Sequence, residues 1–127
     1  MEINIPEVLV EVTQAFRRYE AALIANDIPV LEASFWDDPL VVRFGLYDNG
    51  YGPEAIAQSR RARGNIDLRR ELKRTVITTF GRDFATANTE FQRLDSGREG
   101  RQSQTWMRAG AGWKVVSAHV SWLTKAP

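Results

Sequence analysis

The chain of 127 residues contains no cysteine, which excludes disulfide bonds, thiolate metal sites and a cysteine nucleophile. It has a single histidine, His119, so a metal site built from several histidines is also excluded. No apolar run approaches membrane-spanning length, and the first residues, MEINIPEVLVEVTQAF, lack the basic start of a secretory signal. We therefore expect a cytoplasmic protein with no membrane partner and no metal.

The charge of the chain is nearly balanced. Seventeen basic and sixteen acidic residues give a net charge of +1, which favours no partner through bulk electrostatics. Arginines cluster in residues 59–63 and 68–74, as a nucleic-acid contact would require. The interleaved acid Glu71 and the near-neutral total favour instead a solvated, ion-paired surface, so we expect no nucleic-acid partner.

The first half of the chain has the periodicity of helices. Asn4 is a candidate cap, Pro6 suits a first turn, and apolar side chains then recur at three- and four-residue spacing: Val8, Val12, Ala15, Phe16, Tyr19, Ala22 and Leu23. The following segments predict a second, short helix over 27–35, a strand over 40–44, a turn over 48–50 and a third helix over 52–62.

The second half of the chain predicts strands, over 71–80, 84–93, 101–108 and 113–123. The segments between them, 81–83, 96–100 and 110–112, are short and rich in glycine, which favours antiparallel pairing. Helices followed by a run of strands are the α+β pattern. We expect one domain over 1–127, with a curved sheet covered on one side by helices.

The later strands each have an apolar and a polar face. In the last one, Ala118 and Val120 alternate with His119 and Ser121. One interpretation makes the apolar rows the core and turns the polar rows to water. In the other, the polar rows line a pocket enclosed by the curved sheet. The strands alone leave both interpretations open.

Two polar residues lie in apolar surroundings. Tyr19 belongs to the apolar stripe of the first helix, and Arg43 interrupts the strand-like run PLVVRFG. Each has a structural interpretation: a core tyrosine with one hydrogen bond, and an arginine whose stem is buried while its head reaches water. Together they also describe an anion site in which an arginine binds a carboxylate beside a proton donor.

Longer stretches of the chain resemble the AtzH-like family, a group of small proteins in the NTF2-like (SnoaL-like) superfamily. They are FRRYEAALIANDIPVLEASFW, VRFG with DNGYGPEAIA after it, LKRTVITTFGRDFATANTEFQR, and GRQSQTWMR with GWKVVSAHVSW. The resemblance covers almost the whole chain. It implies a cone-shaped α+β barrel, helices on a mostly antiparallel sheet that encloses a pocket, and usually a dimer through the sheet. Four tryptophans, whose apolar area exceeds the needs of a small monomer, also favour a homodimer or higher oligomer.

The resemblance also implies an activity in ureide and cyanuric acid catabolism. It is that of a decarboxylating amidohydrolase, which converts 1,3-dicarboxyurea to allophanate with release of carbon dioxide. The family's helix tyrosine falls on Tyr19 and its pocket arginine on Arg43. Arg43 would bind a carboxylate and Tyr19 would donate a proton to nitrogen, chemistry that needs no metal and no cofactor. Relatives carry Glu-Asn-Leu-Tyr-Gly after this strand, whereas this chain has Asp48-Asn49-Gly50-Tyr51-Gly52, with a shorter acid and an extra glycine. We expect this difference to alter the pocket mouth.

The second carboxylate of such a substrate needs further partners. The candidates are His119, Ser121, Gln104 and Arg60, with Tyr51 closing the mouth, and Glu90 is expected to pair with an arginine inside the cone. The alternative function is a non-catalytic NTF2-like module that binds a ligand or assembles with a neighbouring amidase. That module would use the arginine but would not need Tyr19. An acid–base isomerase is less well supported, since His119 is the only evident base.

Overall fold

The computed structural model describes residues 1–110 and 112–126. Its helices are α1 (Pro6–Ala25), α2 (Ile28–Ala33) and α3 (Pro53–Arg63). The apolar stripe predicted for α1 is confirmed, since all seven of its side chains are buried. Asp27 caps α2 by accepting a hydrogen bond from the Val30 amide at 3.4 Å.

Asn4 does not cap α1, contrary to prediction. Its backbone has a positive φ of 57°, and its side chain accepts a hydrogen bond from the Thr79 amide at 2.9 Å. The Asn4 amide in turn donates to the Thr79 carbonyl oxygen at 3.1 Å. An asparagine tolerates this left-handed conformation better than most residues. Asn4 therefore ties the start of α1 to the sheet.

The six strands are β1 (Val42–Phe44), β2 (Asn49–Tyr51), β3 (Arg70–Phe80), β4 (Phe84–Arg93), β5 (Glu99–Ala109) and β6 (Gly112–Trp122). They form one sheet in the order β2-β1-β6-β5-β4-β3. Only β1 and β6 pair in parallel; the other neighbouring pairs described are antiparallel. The α+β class and the mostly antiparallel sheet are confirmed. The sheet is curved but not closed, so β2 and β3 remain its edges.

Two local predictions are corrected. The predicted turn over 48–50 is largely strand, because Asn49–Tyr51 pairs with Val42–Phe44. The first strand begins at Val42 and not at residue 40, since the Asp38 carboxylate binds the amide of Leu40 at 2.9 Å and holds a turn there. The predicted turn over 110–112 includes Ala111, which lies outside the described residues.

The rows that face the helices are mainly the apolar ones. Ala87, Gln104 and Ala118 lie side by side on this inner face, and Ala87 and Ala118 pack in the core. The interpretation in which polar rows line the pocket is therefore wrong for β4 and β6, since His119 and Glu90 lie on the opposite, exposed face. In β5 the row turned inward includes the polar side chains of Gln102 and Gln104, which are buried.

The core lies between α1 and this inner face. Trp106 is 1% exposed and Trp113 is also buried, both within the chain's own core. These two tryptophans therefore supply no exposed contact area, and that part of the argument for a dimer is wrong. Within the described residues, no helix combines the length and the apolar character needed to cross a membrane.

Candidate active site

A cavity of about 290 Å³ lies between α1, the end of α3 and the inner face of the sheet. Its apolar walls are Leu23, Leu46, Ile66, Leu68, Phe91, Val120 and Trp122. Its polar walls are Tyr19, Arg43, Tyr47, Asp48, Ser59, Arg63, Arg70, Arg93 and Gln102. Both residues that the sequence predicts to be catalytic, Tyr19 and Arg43, thus contact one cavity. A small cleft in which apolar walls surround convergent polar groups is typical of a ligand site.

Tyr19 is held in place on several sides. The periodicity of α1 buries its ring against Phe35 and against the edge of Trp106, at centroid distances of 6.0 and 6.4 Å. Its hydroxyl oxygen accepts a hydrogen bond from Nη2 of Arg60 at 3.0 Å. A guanidinium can only donate, so the hydroxyl hydrogen of Tyr19 remains free for another acceptor. Tyr19 is therefore arranged as a donor.

Arg60 is a buried cation without a buried anion. It is 1% exposed, and its Nε and Nη1 atoms have no hydrogen-bond partner among the described residues. Its guanidinium carbon lies 5.0 Å from the centroid of Phe35 and 5.7 Å from that of Tyr19, so aromatic faces carry part of its charge. No carboxylate within the described chain forms an ion pair with it. Arg60 lies behind Tyr19 and does not line the cavity.

The arginines around Tyr19 change the acidity of its phenol. Burial by itself would raise the pKa of Tyr19, but the charges of Arg60, Arg43 and Arg70 outweigh burial and lower it. The hydrogen bond from Arg60 acts in the same direction. The phenol therefore gives up its proton more easily than a free tyrosine does.

Arg43 lines the cavity from strand β1. β1 places it between Gly50 of β2 and Ala118 of β6, and its side chain is 13% exposed. The Asp48 carboxylate is its only described anionic neighbour, with Nη1 and Oδ1 3.9 Å apart. Burial lowers the pKa of Arg43, Arg60 adds to that effect, and Tyr19 and Asp48 oppose it. Arg43 is a cation with capacity for another anion.

Arg63 brings a further cation to the cavity. It follows the buried Ile56 and Arg60 at helical spacing on the inner side of α3. Its Nε and Nη2 atoms are buried without a partner in the described chain. Burial lowers the pKa of Arg63 to about 10, and the charges of Arg60 and Arg43 contribute. Like charges therefore crowd this part of the site.

Arg70 is in contrast fully paired. Its Nε and Nη2 atoms donate to the Glu20 carboxylate at 2.8 and 2.6 Å, and Nη2 also donates to Oε1 of Gln102 at 3.0 Å. Its guanidinium stacks 4.4 Å from the centroid of Phe91. The ring of Phe91 in turn needs Gly100, where a Cβ would come within 2.3 Å of it. Arg70 therefore serves to fix Gln102 and the cavity wall.

The cavity has an excess of positive charge. Two of its arginines are already paired with acids that do not line the cavity: Arg70 with Glu20, and Arg93 with Asp95. Arg43 and Arg63 remain, and among the described residues the one carboxylate that balances them is that of Asp48, 3.9 Å from Arg43. The site is suited to an anion that accepts several hydrogen bonds. Across residues 1–110 and 112–126, no group of three or more His, Asp or Glu side chains is arranged to hold a metal ion.

The structure places the other predicted ligand residues away from the cavity. His119 and Ser121 lie on the outer row of β6, because Ala118 and Val120 turn inward, so their assignment as pocket residues is corrected. Gln104 faces inward, but its Oε1 accepts the indole N–H of Trp106 at 3.1 Å and it does not reach the cavity. Tyr51 is 65% exposed and packs on Phe44.

Several cavity residues were not expected from the sequence. Tyr47, not Tyr51, lies at the mouth, and the indole N–H of Trp122 donates to its hydroxyl at 3.4 Å. Gln102 shares the inner face of β5 with Trp106, a signal present in the alternation of that strand. Arg63 follows Arg60 at a spacing of three residues on a helix, so it could have been found in the same way.

Comparison with known proteins agrees with this architecture. A crystal structure of a protein of unknown function from the DUF3225 family of Pectobacterium atrosepticum is 49% identical, with a TM-score of 0.93, covering 96% of this chain and 95% of that one. A cystatin-like fold protein from Burkholderia xenovorans is 44% identical, with a TM-score of 0.93 and 99% of both chains covered.

More distant structures share the fold. An NTF2-like protein of unknown function from Pseudomonas putida is 23% identical, with a TM-score of 0.79, covering 91% of this chain and 86% of that one. A search of the curated proteins found no match. The AtzH-like family model matches residues 1–126. With its NTF2-like fold, the chain belongs to the AtzH-like family.

Proposed function

We propose that the chain is a cofactor-independent enzyme that removes carbon dioxide from a carboxylated urea, converting 1,3-dicarboxyurea to allophanate. The observation that carries this proposal is the shared cavity of Tyr19 and Arg43, in which the phenol is arranged to donate and the guanidinium to bind an anion. Membership of the AtzH-like family supports the choice of substrate.

The reaction breaks the bond between a carboxylate carbon and a urea nitrogen. The electron pair of that bond stays on the nitrogen, the carboxylate leaves as carbon dioxide, and the Tyr19 hydroxyl supplies the proton that the nitrogen takes up. Water then returns a proton to the Tyr19 oxygen. Protonation avoids release of a nitrogen anion, and a positioned acid contributes about 10²- to 10⁴-fold.

Arg43 holds the substrate for this step. A guanidinium binds a carboxylate through two parallel hydrogen bonds, which fixes the position of the neighbouring nitrogen. Arg43 lies on a strand between two paired neighbours, so its backbone is well supported. Arg60 positions the acid by binding the oxygen of Tyr19 from behind the cavity wall. Orientation of this kind adds to the acceleration from proton transfer.

The test measures carbon dioxide release from freshly prepared 1,3-dicarboxyurea. We expect wild type to exceed the buffer rate, Tyr19→Phe to lose about 10²- to 10⁴-fold in kcat, and Arg43→Ala to lose activity with a raised KM. Arg61→Ala is the matched control, because Arg61 is exposed and pairs with Glu32 outside the cavity. A wild-type rate no faster than buffer would contradict the enzyme. If Tyr19→Phe and wild type then bound a dicarboxylate equally well, the ligand-binding or assembly module would be supported.

A further inference from the structure

The cavity wall contains hydrogen-bond donors that the fold leaves unused. They are Nε and Nη2 of Arg63, Nε of Arg93 and Nε2 of Gln102, all buried and without a partner in the described chain. All three side chains line the cavity, but Arg93 already forms an ion pair with Asp95. A buried donor without an acceptor costs about 1–3 kcal/mol. Such donors on a cavity wall therefore indicate where the acceptor atoms of a ligand bind.

The orientation of Gln102 follows from its neighbour. Nη2 of Arg70 donates to Oε1 of Gln102, and Arg70 is itself fixed by the Glu20 carboxylate. Because a guanidinium has no acceptor, the amide oxygen of Gln102 must be the atom that faces Arg70. The amide NH₂ then points away from Arg70 and has no partner in the described chain.

The charge around Arg63 favours an anion as that acceptor. No acid in the described chain forms an ion pair with Arg63, while Arg60 and Arg43 repel it. A carboxylate would accept from the Arg63 guanidinium and from the Gln102 amide, and it would relieve the repulsion among the three arginines.

We propose that Arg63 and Gln102 bind the second carboxylate of a ligand whose first carboxylate binds Arg43. These two residues then determine specificity for short, linear dianions over monoanions of the same length. The cavity volume of about 290 Å³ lies at the lower end of ligand pockets, which suits such a small molecule. This inference rests on the proposed function, because it extends the same site, but it is tested by binding and needs no turnover.

The experiment compares two unreactive ligands by calorimetry. Glutarate matches 1,3-dicarboxyurea in length and carries both carboxylates; glutaramate replaces one carboxylate by an amide of the same shape. A hydrogen bond to a charged group contributes about 1.5–3 kcal/mol, so we expect wild type to bind glutarate about 10- to 100-fold more tightly than glutaramate. Arg63→Gln should bring the two affinities to within a few-fold of each other.

Two further variants make the test specific. Gln102→Glu keeps an acceptor for Arg70 but puts a negative charge beside the second carboxylate, so glutarate binding should weaken more than glutaramate binding. Arg61→Gln is the control: it lies on the same helix, is exposed and pairs with Glu32 at 2.8 Å outside the cavity. It should keep the wild-type preference. Circular dichroism confirms that each variant is folded before binding is measured.

The outcomes separate this inference from the proposed function. If Arg63→Gln keeps the preference for glutarate, or if wild type shows none, the second subsite is wrong, whatever the rate of carbon dioxide release. If the preference is present and lost in Arg63→Gln while wild type releases no carbon dioxide, the subsite is supported and the proposed enzyme fails.

Discussion

Nη2 of Arg60 donates a hydrogen bond of 3.0 Å to the hydroxyl oxygen of Tyr19, and the two side chains are 1% and 3% exposed. A buried cation thus faces the oxygen of the residue proposed as the acid. Its charge opposes the effect of burial on that phenol. The pH dependence of activity should report this relationship.

The first prediction concerns the alkaline limb of activity. Tyr19 donates only when protonated, so the rate should fall as pH rises through its pKa, which lies below the ordinary value of about 10. Arg60→Met removes a charge that lowers this pKa, so the limb should move to higher pH. The measurement is kcat as a function of pH. The pKa of Tyr19 is followed separately by phenolate absorbance, from which the absorbance of the corresponding Tyr19→Phe protein is subtracted. A limb at the same pH in Arg60→Met would contradict the assignment.

The second prediction concerns stability without ligand. Burial and neighbouring charges lower the pKa of Arg63 to about 10, so its charged form destabilises the folded state below that pH. Arg63→Gln should therefore raise the free energy of unfolding at neutral pH. Arg63 is partly exposed and solvent screens its charge, so we expect a gain on the order of 1 kcal/mol. The gain should shrink as pH rises through about 10.

Urea unfolding at several pH values measures this gain. Arg61→Gln serves as the reference, since it removes an arginine of the same helix that already has an ion pair. An Arg63→Gln protein that is less stable than wild type at neutral pH would contradict the prediction.

The third prediction uses the space around Arg43. A Cβ at Gly45 would lie 2.3 Å from Oδ1 of Asp48 and 2.9 Å from Nη1 of Arg43. Both atoms end flexible side chains, so Gly45→Ala should displace them while changing stability by less than about 1 kcal/mol. We expect at least a tenfold loss in kcat/KM and in glutarate affinity, because a small displacement of the Arg43 guanidinium would misplace the bound carboxylate.

The control for that substitution is Gly112→Ala, where a Cβ meets nothing within 4 Å. It should keep full activity. Wild-type activity in Gly45→Ala would mean that the position of Arg43 is not critical.

The fourth prediction concerns the pair that fixes Gln102. The side chains of Arg70 and Glu20 are 5% and 14% exposed and join through two short hydrogen bonds. Removing one partner of a buried pair leaves the other charge uncompensated, so Glu20→Gln should cost about 3–5 kcal/mol of unfolding free energy. Glu11→Gln, which breaks the exposed pair with Arg108, should cost less. If the two variants lost the same free energy of unfolding, the Arg70–Glu20 pair would contribute no more to stability than a surface ion pair.

Much of the fold was predictable because its signals are local. The stripe from Val8 to Leu23 defines one face of α1, and period-two alternation with short turns defines β3 to β6. The position of β2 was not predictable, since Asn49 and Gly50 favour a turn and only pairing with β1 makes them a strand. Partners distant in sequence decide such cases.

The site was predictable in part for the same reason. Tyr19 and Arg43 are unusual in their own elements, so they could be singled out without a structure. The direction of His119 could not, because alternation gives two faces but does not say which one the helices cover. Arg63 and Gln102 can be identified as candidate ligand-binding residues only when the structure shows that their donors lack partners.

The unbalanced arginines have a consequence for the life of the protein in a cell. A ligand that binds only the folded chain stabilises it, by about 2.7 kcal/mol when the ligand concentration is a hundred times Kd. The unfolded fraction falls accordingly. Here a dianion would also remove repulsion among Arg43, Arg60 and Arg63. Proteases act on the unfolded chain, so the half-life of this protein should lengthen when a dianion that fits the cavity accumulates. The supply of that ligand would then change the amount of protein without any change in its synthesis.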